Sequence, residues 1–170
     1  YGYWTPKNLQ QVYSRGLETK TTVSYFKNNL FLKLDLNTSY VLSTNTKNTS
    51  VNDNSNGKQI IYSPLYNGYA TCFIQYKKIM VYYNYNYTGY RYTSTDNTSW
   101  LMPYQISNLK LSTYFNVSKA KLTIFGACNN LQNKNYVVVS NTPMPMRNYE
   151  IGCTIEYHKK NKVVHMFETT

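Results

Sequence analysis

Leu30-Phe31-Leu32-Lys33-Leu34-Asp35-Leu36-Asn37-Thr38-Ser39-Tyr40-Val41-Leu42 is the stretch that decides the fold. Leu30, Leu32, Leu34, Leu36, Thr38, Tyr40 and Leu42 share one parity, and Phe31, Lys33, Asp35, Asn37 and Ser39 share the other. Helical spacing would scatter Lys33 and Asp35 around an axis. Alternation with period two separates charge from leucine, so this is a strand with one apolar face.

The same alternation recurs on both sides. Upstream, Leu17, Thr19, Thr21, Val23 and Tyr25 oppose Glu18, Lys20, Thr22 and Ser24. Downstream, Ala70, Cys72, Ile74 and Tyr76 oppose Thr71, Phe73 and Gln75, and Val81, Tyr83, Tyr85 and Tyr87 oppose Tyr82, Asn84, Asn86 and Thr88. Three more segments follow the rule. Leu109, Leu111, Thr113 and Phe115 oppose Lys110; Leu122, Ile124, Gly126 and Cys128 oppose Lys121; and Tyr149, Ile151, Cys153, Ile155 and Tyr157 oppose Glu150 and Glu156. Within each span the charges are expected on one parity. The strands read as about 12–26, 30–43, 59–76, 79–92, 104–116, 119–136 and 147–158, with a basic tail over 159–170.

Connections alternate in length. Short turns sit at Lys27-Asn28-Asn29, Lys77-Lys78 and Val117-Ser118-Lys119, and long polar loops span about 44–57, 93–102 and 137–146. That pattern predicts an all-β, antiparallel up-and-down meander whose two ends differ. Strands this long exceed the usual five or six residues of soluble sheets and suit a tilted crossing of a bilayer, which takes about 9–11. Tyr25, Tyr76, Phe115 and Tyr157 lie near the short turns; Tyr40, Tyr62, Tyr90, Tyr104, Tyr136 and Tyr149 lie near the long loops. Two such rows resemble the aromatic girdles of a membrane barrel.

Composition agrees. The chain has 170 residues, 18 Lys+Arg against 7 Asp+Glu, a net charge of +11 and 20 tyrosines. Its mean hydropathy of −0.54 comes from Asn, Thr, Ser and Tyr instead of ion pairs. Few residues suit helix surfaces, and too many are aromatic or β-branched for disorder. No apolar run reaches the length of a membrane helix, and the start Tyr1-Gly2-Tyr3-Trp4 reads as a processed or excised end. Cys72, Cys128 and Cys153 share the apolar parity, an odd count without C-x-x-C spacing, so neither a disulfide framework nor a zinc site is expected. No nucleophile–base–acid set, metal site or cofactor site is visible. Both histidines, His158 and His165, sit in the tail. The sequons at Asn37, Asn48, Asn86, Asn97 and Asn116 are the chance matches of an Asn/Thr/Ser-rich chain.

Near the C-terminus, Asn129-Asn130-Leu131-Gln132-Asn133-Lys134-Asn135-Tyr136 resembles the "N-L-F-N/D-K-x-Y" segment of TonB-dependent outer-membrane receptors, and Pro143-Met144-Pro145-Met146-Arg147-Asn148-Tyr149-Glu150 resembles their "P-x-P-G-R-x-Y/F" entry to the last strand. Ser14-Arg15-Gly16-Leu17-Glu18 is similar to an upstream "S-R-G-L/V-E" start, and Tyr62-Ser63-Pro64 and Tyr87-Thr88-Gly89-Tyr90-Arg91-Tyr92 fit the same pattern. Gln132 departs from the family's Phe, Met146 from its Gly, and thirteen residues follow the terminal aromatic Tyr157. The resemblance implies the C-terminal seven strands of a 22-stranded barrel of the Bacteroidetes type. A full-length relative would lie in the outer membrane of a Gram-negative cell and import a scarce ligand such as an iron–siderophore, haem or a cobalamin. Its partners would be outer-membrane lipid, the remaining strands, a plug domain and, through the plug, TonB; neither plug nor TonB-contacting box corresponds to anything here.

Seven is odd, whereas closed bacterial single-chain barrels normally have even strand numbers, so the chain reads as a barrel portion or truncated product that does not transport alone. Tyr92, Trp100 and Arg147 are candidate ligand contacts, the alternative being girdle or loop packing. Glu18, Lys20, Lys33, Asp35, Lys110, Lys121, Glu150 and Glu156 are candidate lumen-facing groups. The lysines either line a path for an anionic ligand or solvate the lumen against the plug and these acids. Two other classes compete: an adhesin-like surface β-protein, and a soluble basic β-protein stacking single-stranded nucleic acid. Scattered cations without a basic–aromatic stripe argue against nucleic acid.

Overall fold

The computed structural model describes residues 11–47 and 53–157. Tyr1–Trp4, the Asn48 sequon, His158, His165 and the 159–170 tail lie outside them. Seven long strands form one antiparallel sheet: β1 (Val12–Lys27), β2 (Leu30–Asn45), β3 (Tyr66–Tyr76), β4 (Ile79–Thr88), β7 (Tyr104–Val117), β8 (Ala120–Asn129) and β11 (Asn148–Tyr157). They pair in chain order, β1-β2-β3-β4-β7-β8-β11, so the up-and-down meander holds and β1 and β11 are its edges. Two small hairpins, β5 (Arg91–Tyr92) with β6 (Trp100–Leu101) and β9 (Val137–Val139) with β10 (Thr142–Pro143), stand apart from the sheet.

One end of the sheet carries two-residue turns, Asn28-Asn29, Lys77-Lys78 and Ser118-Lys119. The first residue of each is left-handed (φ 54° at Asn28, Lys77 and Ser118), as tight hairpins between right-twisted strands require. The other end carries the loops 89–103 and 130–147 and, between β2 and β3, residues 46–47 and 53–65. Three strands are shorter than the alternation suggested. The 59–76 span becomes a single bridge, Thr44 to Gln59, then a left-handed Tyr62 (φ 58°) and Pro64 before β3 begins. The 79–92 span stops at Thr88, and Gly89 donates its N–H to the Tyr66 carbonyl at 2.9 Å before the chain turns into β5. The 119–136 span stops where Asn130 turns left-handed (φ 54°).

Register unites the apolar parities into one face. Across the sheet Val23 opposes Leu34, Leu34 opposes Cys72, Cys72 opposes Tyr83, Tyr83 opposes Leu109, Leu109 opposes Cys128 and Cys128 opposes Tyr149. Arg15 breaks the expected segregation of charge. It opposes Leu42 on the apolar face, at the loop end of β1, where its guanidinium lies 5.9 Å from the Tyr13 ring. A long cation at a strand end beside an aromatic carries its stem over apolar surface and its charge beyond it.

Burial is inverted relative to a water-soluble sheet. Along β2, Leu34, Leu36 and Tyr40 are exposed while Asp35, Asn37 and Ser39 between them are less so. Ile151 is 86% exposed, Leu17 68% and Leu111 50%. Among the described residues Ile106 is the sole buried apolar side chain, whereas Ser43, Asn45, Thr71 and Asn84 are buried on the polar face.

The strands are also staggered. Leu30 at the β1–β2 turn lies in the row of Tyr76, Ile79 and Thr113, yet β7 continues four residues further, from Thr113 to Val117. Stagger of this kind is what tilts strands in a barrel. At the short-turn end Tyr25, Tyr76, Phe115 and Tyr157 all lie on the apolar face. At the loop end the row is rearranged. Tyr40 and Tyr149 are on the apolar face, and Tyr66 joins Tyr40 with rings 4.9 Å apart. Tyr104 is on the polar face, and Tyr62, Tyr90 and Tyr136 belong to the loops.

Gly152 is fixed by a neighbour: a Cβ there would come within 2.6 Å of the Phe125 ring, which lies across it on the polar face beneath the Lys110 ammonium, 3.8 Å from the ring centre.

Candidate functional site

The loop end and the adjoining polar face hold nearly all the side-chain chemistry. Where β3 and β8 stop short of their neighbours, β2 and β7 are left with free ladder N–H groups. Two glutamines cap them. Gln59 accepts from the Ser43 N–H at 2.8 Å, and Gln132 accepts from the Ser107 N–H at 3.0 Å. Ser107 is fully buried, its hydroxyl also meeting Tyr83 at 2.8 Å and the Gln132 amide. An unpaired backbone donor in such a position would cost about 1–3 kcal/mol, so these amides hold the first and third loops down.

The loops then lock to one another. Asn97, left-handed at φ 61°, donates to the Gln59 carbonyl at 2.9 Å and accepts its N–H at 2.8 Å, joining the β5–β6 hairpin to the first loop. Arg91, 3% exposed, donates through Nη2 to the carbonyls of Val137 (3.2 Å) and Met102 (3.4 Å), and its guanidinium lies 4.9 Å from the Tyr104 ring. Tyr104 packs in turn on Tyr136 at 4.7 Å. Burial pushes the Tyr136 hydroxyl above its ordinary range, with Tyr104 adding to it. At the hairpin tip, hydrogen bonds from Ser94 and Thr98 hold Asp96 down at about 2.

The polar face below is organised in rows. Lys33, Phe73, Tyr82, Lys110, Ala127 and Glu150 form one row nearer the short turns. Two residues higher, Asn84 opposes Asn108 and Asn129 opposes Asn148, so four strands each supply an asparagine to one band. Asn108 and Asn86 both donate to Asn84 Oδ1, Asn129 donates to Asn148 at 2.9 Å, and the Asn130 N–H donates to Asn108 at 3.0 Å. Above this band, under the third loop, lies a cleft of about 560 Å³.

All eight charged candidates fall on the polar face: Glu18, Lys20, Lys33, Asp35, Lys110, Lys121, Glu150 and Glu156. Lys33 pairs with Asp35 at 2.9 Å, which also accepts from Thr22 at 2.7 Å; Lys121 pairs with Glu156 at 3.5 Å and lies 5.0 Å from the Tyr114 ring. Exposed pairs of this kind contribute about 0–1 kcal/mol and chiefly set local charge. Tyr92 and Trp100 are brought together as cross-strand partners of the β5–β6 hairpin. With Tyr90 and Met102 they line a shallow aromatic cleft, in which Tyr90 packs edge-on against Tyr92 at 5.4 Å. Arg147 serves the third loop instead: its Nη2 donates to the Leu131 carbonyl and its N–H to Asn133. Arg91, Asn129, Gln132 and Asn148 fall within the segments quoted above without being singled out by them, and Gln59, Asn84 and Asn108 fall in no motif. Only the register and the loop docking assemble them.

No family model matches the chain, and no curated protein matches it by sequence. Among solved structures it is similar to BauA, the ferric preacinetobactin receptor from Acinetobacter baumannii, with a TM-score of 0.60 and 12% identity over 85% of this chain. The match covers 27% of that receptor, so the chain spans about a quarter of its length. At such identity the likeness is one of fold.

Proposed function

We propose that this chain is the C-terminal part of the barrel wall of a TonB-dependent outer-membrane receptor, which imports a scarce, large ligand such as an iron–siderophore, haem or a cobalamin. The observation that carries the reading is the inverted burial: a seven-strand apolar face that carries no covering layer, its large side chains exposed or half-buried, while Ser43, Asn45, Thr71 and Asn84 are buried on the opposite side. A water-soluble sheet covers its apolar face with a second layer. A barrel wall leaves it to lipid, and its polar side meets the lumen and a plug. The likeness in fold to a ferric siderophore receptor supports the same reading. Both edges, β1 and β11, offer backbone groups to the remaining strands, so transport belongs to the assembled receptor and TonB acts through its plug. The chain itself is not an enzyme in this account. Tyr92 and Trp100 are the better-placed ligand contacts, and the charged row belongs to the lumen.

The native thiols provide the test. Cys72, Cys128 and Cys153 are free and all lie on the apolar face. In outer membranes carrying the receptor, a charged, water-soluble maleimide should leave them unmodified until the protein is dissolved in SDS, because the thiolate that reacts does not form in lipid. Prompt modification by the charged reagent in intact membranes would show that water, not lipid, covers this face.

A further inference from the structure

The cleft under the third loop has a chemistry of its own. Its lining includes Asn86, Asn108, Asn129, Asn148, Tyr104 and Tyr136, and none of its residues is charged. At about 560 Å³ it falls within the roughly 300–1,000 Å³ of small-molecule sites. We infer that this cleft takes an uncharged, polyhydroxylated ligand of the oligosaccharide class, an inference that rests on the receptor reading above and adds a ligand class to the three examples given there.

The argument is one of matching. Burying an anion, such as a ferric catecholate, needs a cation in contact; without one the desolvation is uncompensated. Among the loop cations, Arg91 is 3% exposed and spends its Nη2 on two backbone carbonyls, Arg147 gives its Nη2 to the Leu131 carbonyl, and neither of them, nor Lys134, is part of the cleft wall. Lys110 and Glu150 lie in the row nearer the short turns, and neither lines the cleft. What the cleft does present is amides. Each asparagine offers two donors and one acceptor oxygen. Asn86 and Asn129 each give one side-chain bond within the band, through Nδ2, and keep their oxygens for other partners. Vicinal hydroxyls, each both donor and acceptor, are complementary to such a row. The Tyr104–Tyr136 pair and Ile106 supply the apolar surface against which the C–H face of a sugar ring packs.

The experiment applies the intact receptor, folded in detergent, to an array of neutral, sulfated and sialylated oligosaccharides, with a ferric tris-catecholate titrated in parallel. Neutral glycans should be retained, with affinity unchanged between about 0.05 and 0.5 M salt, because no ion pair is screened. Asn86→Leu, which removes the side-chain oxygen left for a ligand, should weaken retention by about tenfold, the loss of one hydrogen bond. Tyr136→Leu, in the loop and outside the sheet, should weaken it similarly should the first variant not fold. Preference for sulfated glycans or the catecholate, falling with salt, would overturn the inference and leave the receptor reading standing. Retention of none of the probes by folded receptor would overturn it too. Charged-maleimide access to the three cysteines in intact membranes would instead remove the reading beneath it.

Discussion

Leu34→Arg separates a lipid-facing wall from a water-facing sheet. Leu34 lies mid-strand on the apolar face, between Val23 and Cys72, and is 39% exposed. In water its covered three-fifths contributes about 1–2 kcal/mol of the ~1.5–3 kcal/mol for a fully buried leucine. An arginine stem would cover most of the same surface with its charge in solvent, so the net loss would stay below about 1 kcal/mol. In a bilayer the same substitution places a guanidinium near the midplane, at about 2–4 kcal/mol, roughly a 30- to 800-fold shift in folding equilibrium. Ser39→Arg is the internal control. Ser39 is on the polar face opposite Glu18, and a cation there should change stability by no more than about 0.5 kcal/mol. Urea titration of the receptor folded into phospholipid vesicles reads both variants. If Leu34→Arg costs under about 1 kcal/mol and matches Ser39→Arg, the apolar face does not meet lipid and the reasoning fails.

Two further outcomes concern the loops. Gln132→Leu leaves the buried Ser107 N–H without an acceptor, and should cost about 1–3 kcal/mol, seen as faster hydrogen exchange at Ser107 and through 130–147 with β2–β4 unchanged; unaltered Ser107 exchange would show that Gln132 is not the clamp. Asp96 is held down at about 2 from 3.8 by Ser94 and Thr98, so its contribution to the hairpin tip is present above about pH 4 and is lost as pH falls toward 2. Exchange protection at Thr98 should therefore decline over that interval in the parent and be low and flat with pH in Asp96→Asn.

The sheet was legible because its physics is local and repeated. Alternation in Leu30–Leu42 assigns each side chain to a face without reference to any neighbour, and seven such segments with short and long connections admit few topologies. Arg15 shows where that rule weakens. Near a strand end the apolar environment gives way to an interface, and a cation beside Tyr13 is stable on the leucine side. Strand ends were less legible for a related reason. Tyr62 to Leu65 and Gly89 to Tyr90 are apolar or aromatic enough to continue a strand, but a left-handed Tyr62, the imide of Pro64 and the close approach of Gly89 to Tyr66 end the ladder.

The site was less legible because it is made by register. Asn84, Asn108, Asn129 and Asn148 come from four strands and share no spacing; they become one band only when β4, β7, β8 and β11 are aligned. Gln132 carries the same lesson at a single residue. As a sequence feature it is a departure from the aromatic of the segment it resembles. In the fold, β8 ends at Asn129, three residues before Gln132, and Ser107 is left with an N–H that no strand satisfies. A phenylalanine there would cover the serine but could accept no hydrogen bond. Gln59 solves the equivalent problem at Ser43, where β3 stops short of β2. One physical demand, a free ladder donor beneath a docked loop, has drawn the same side chain twice from unrelated sequence contexts. The loop end is thus built as a braced rim.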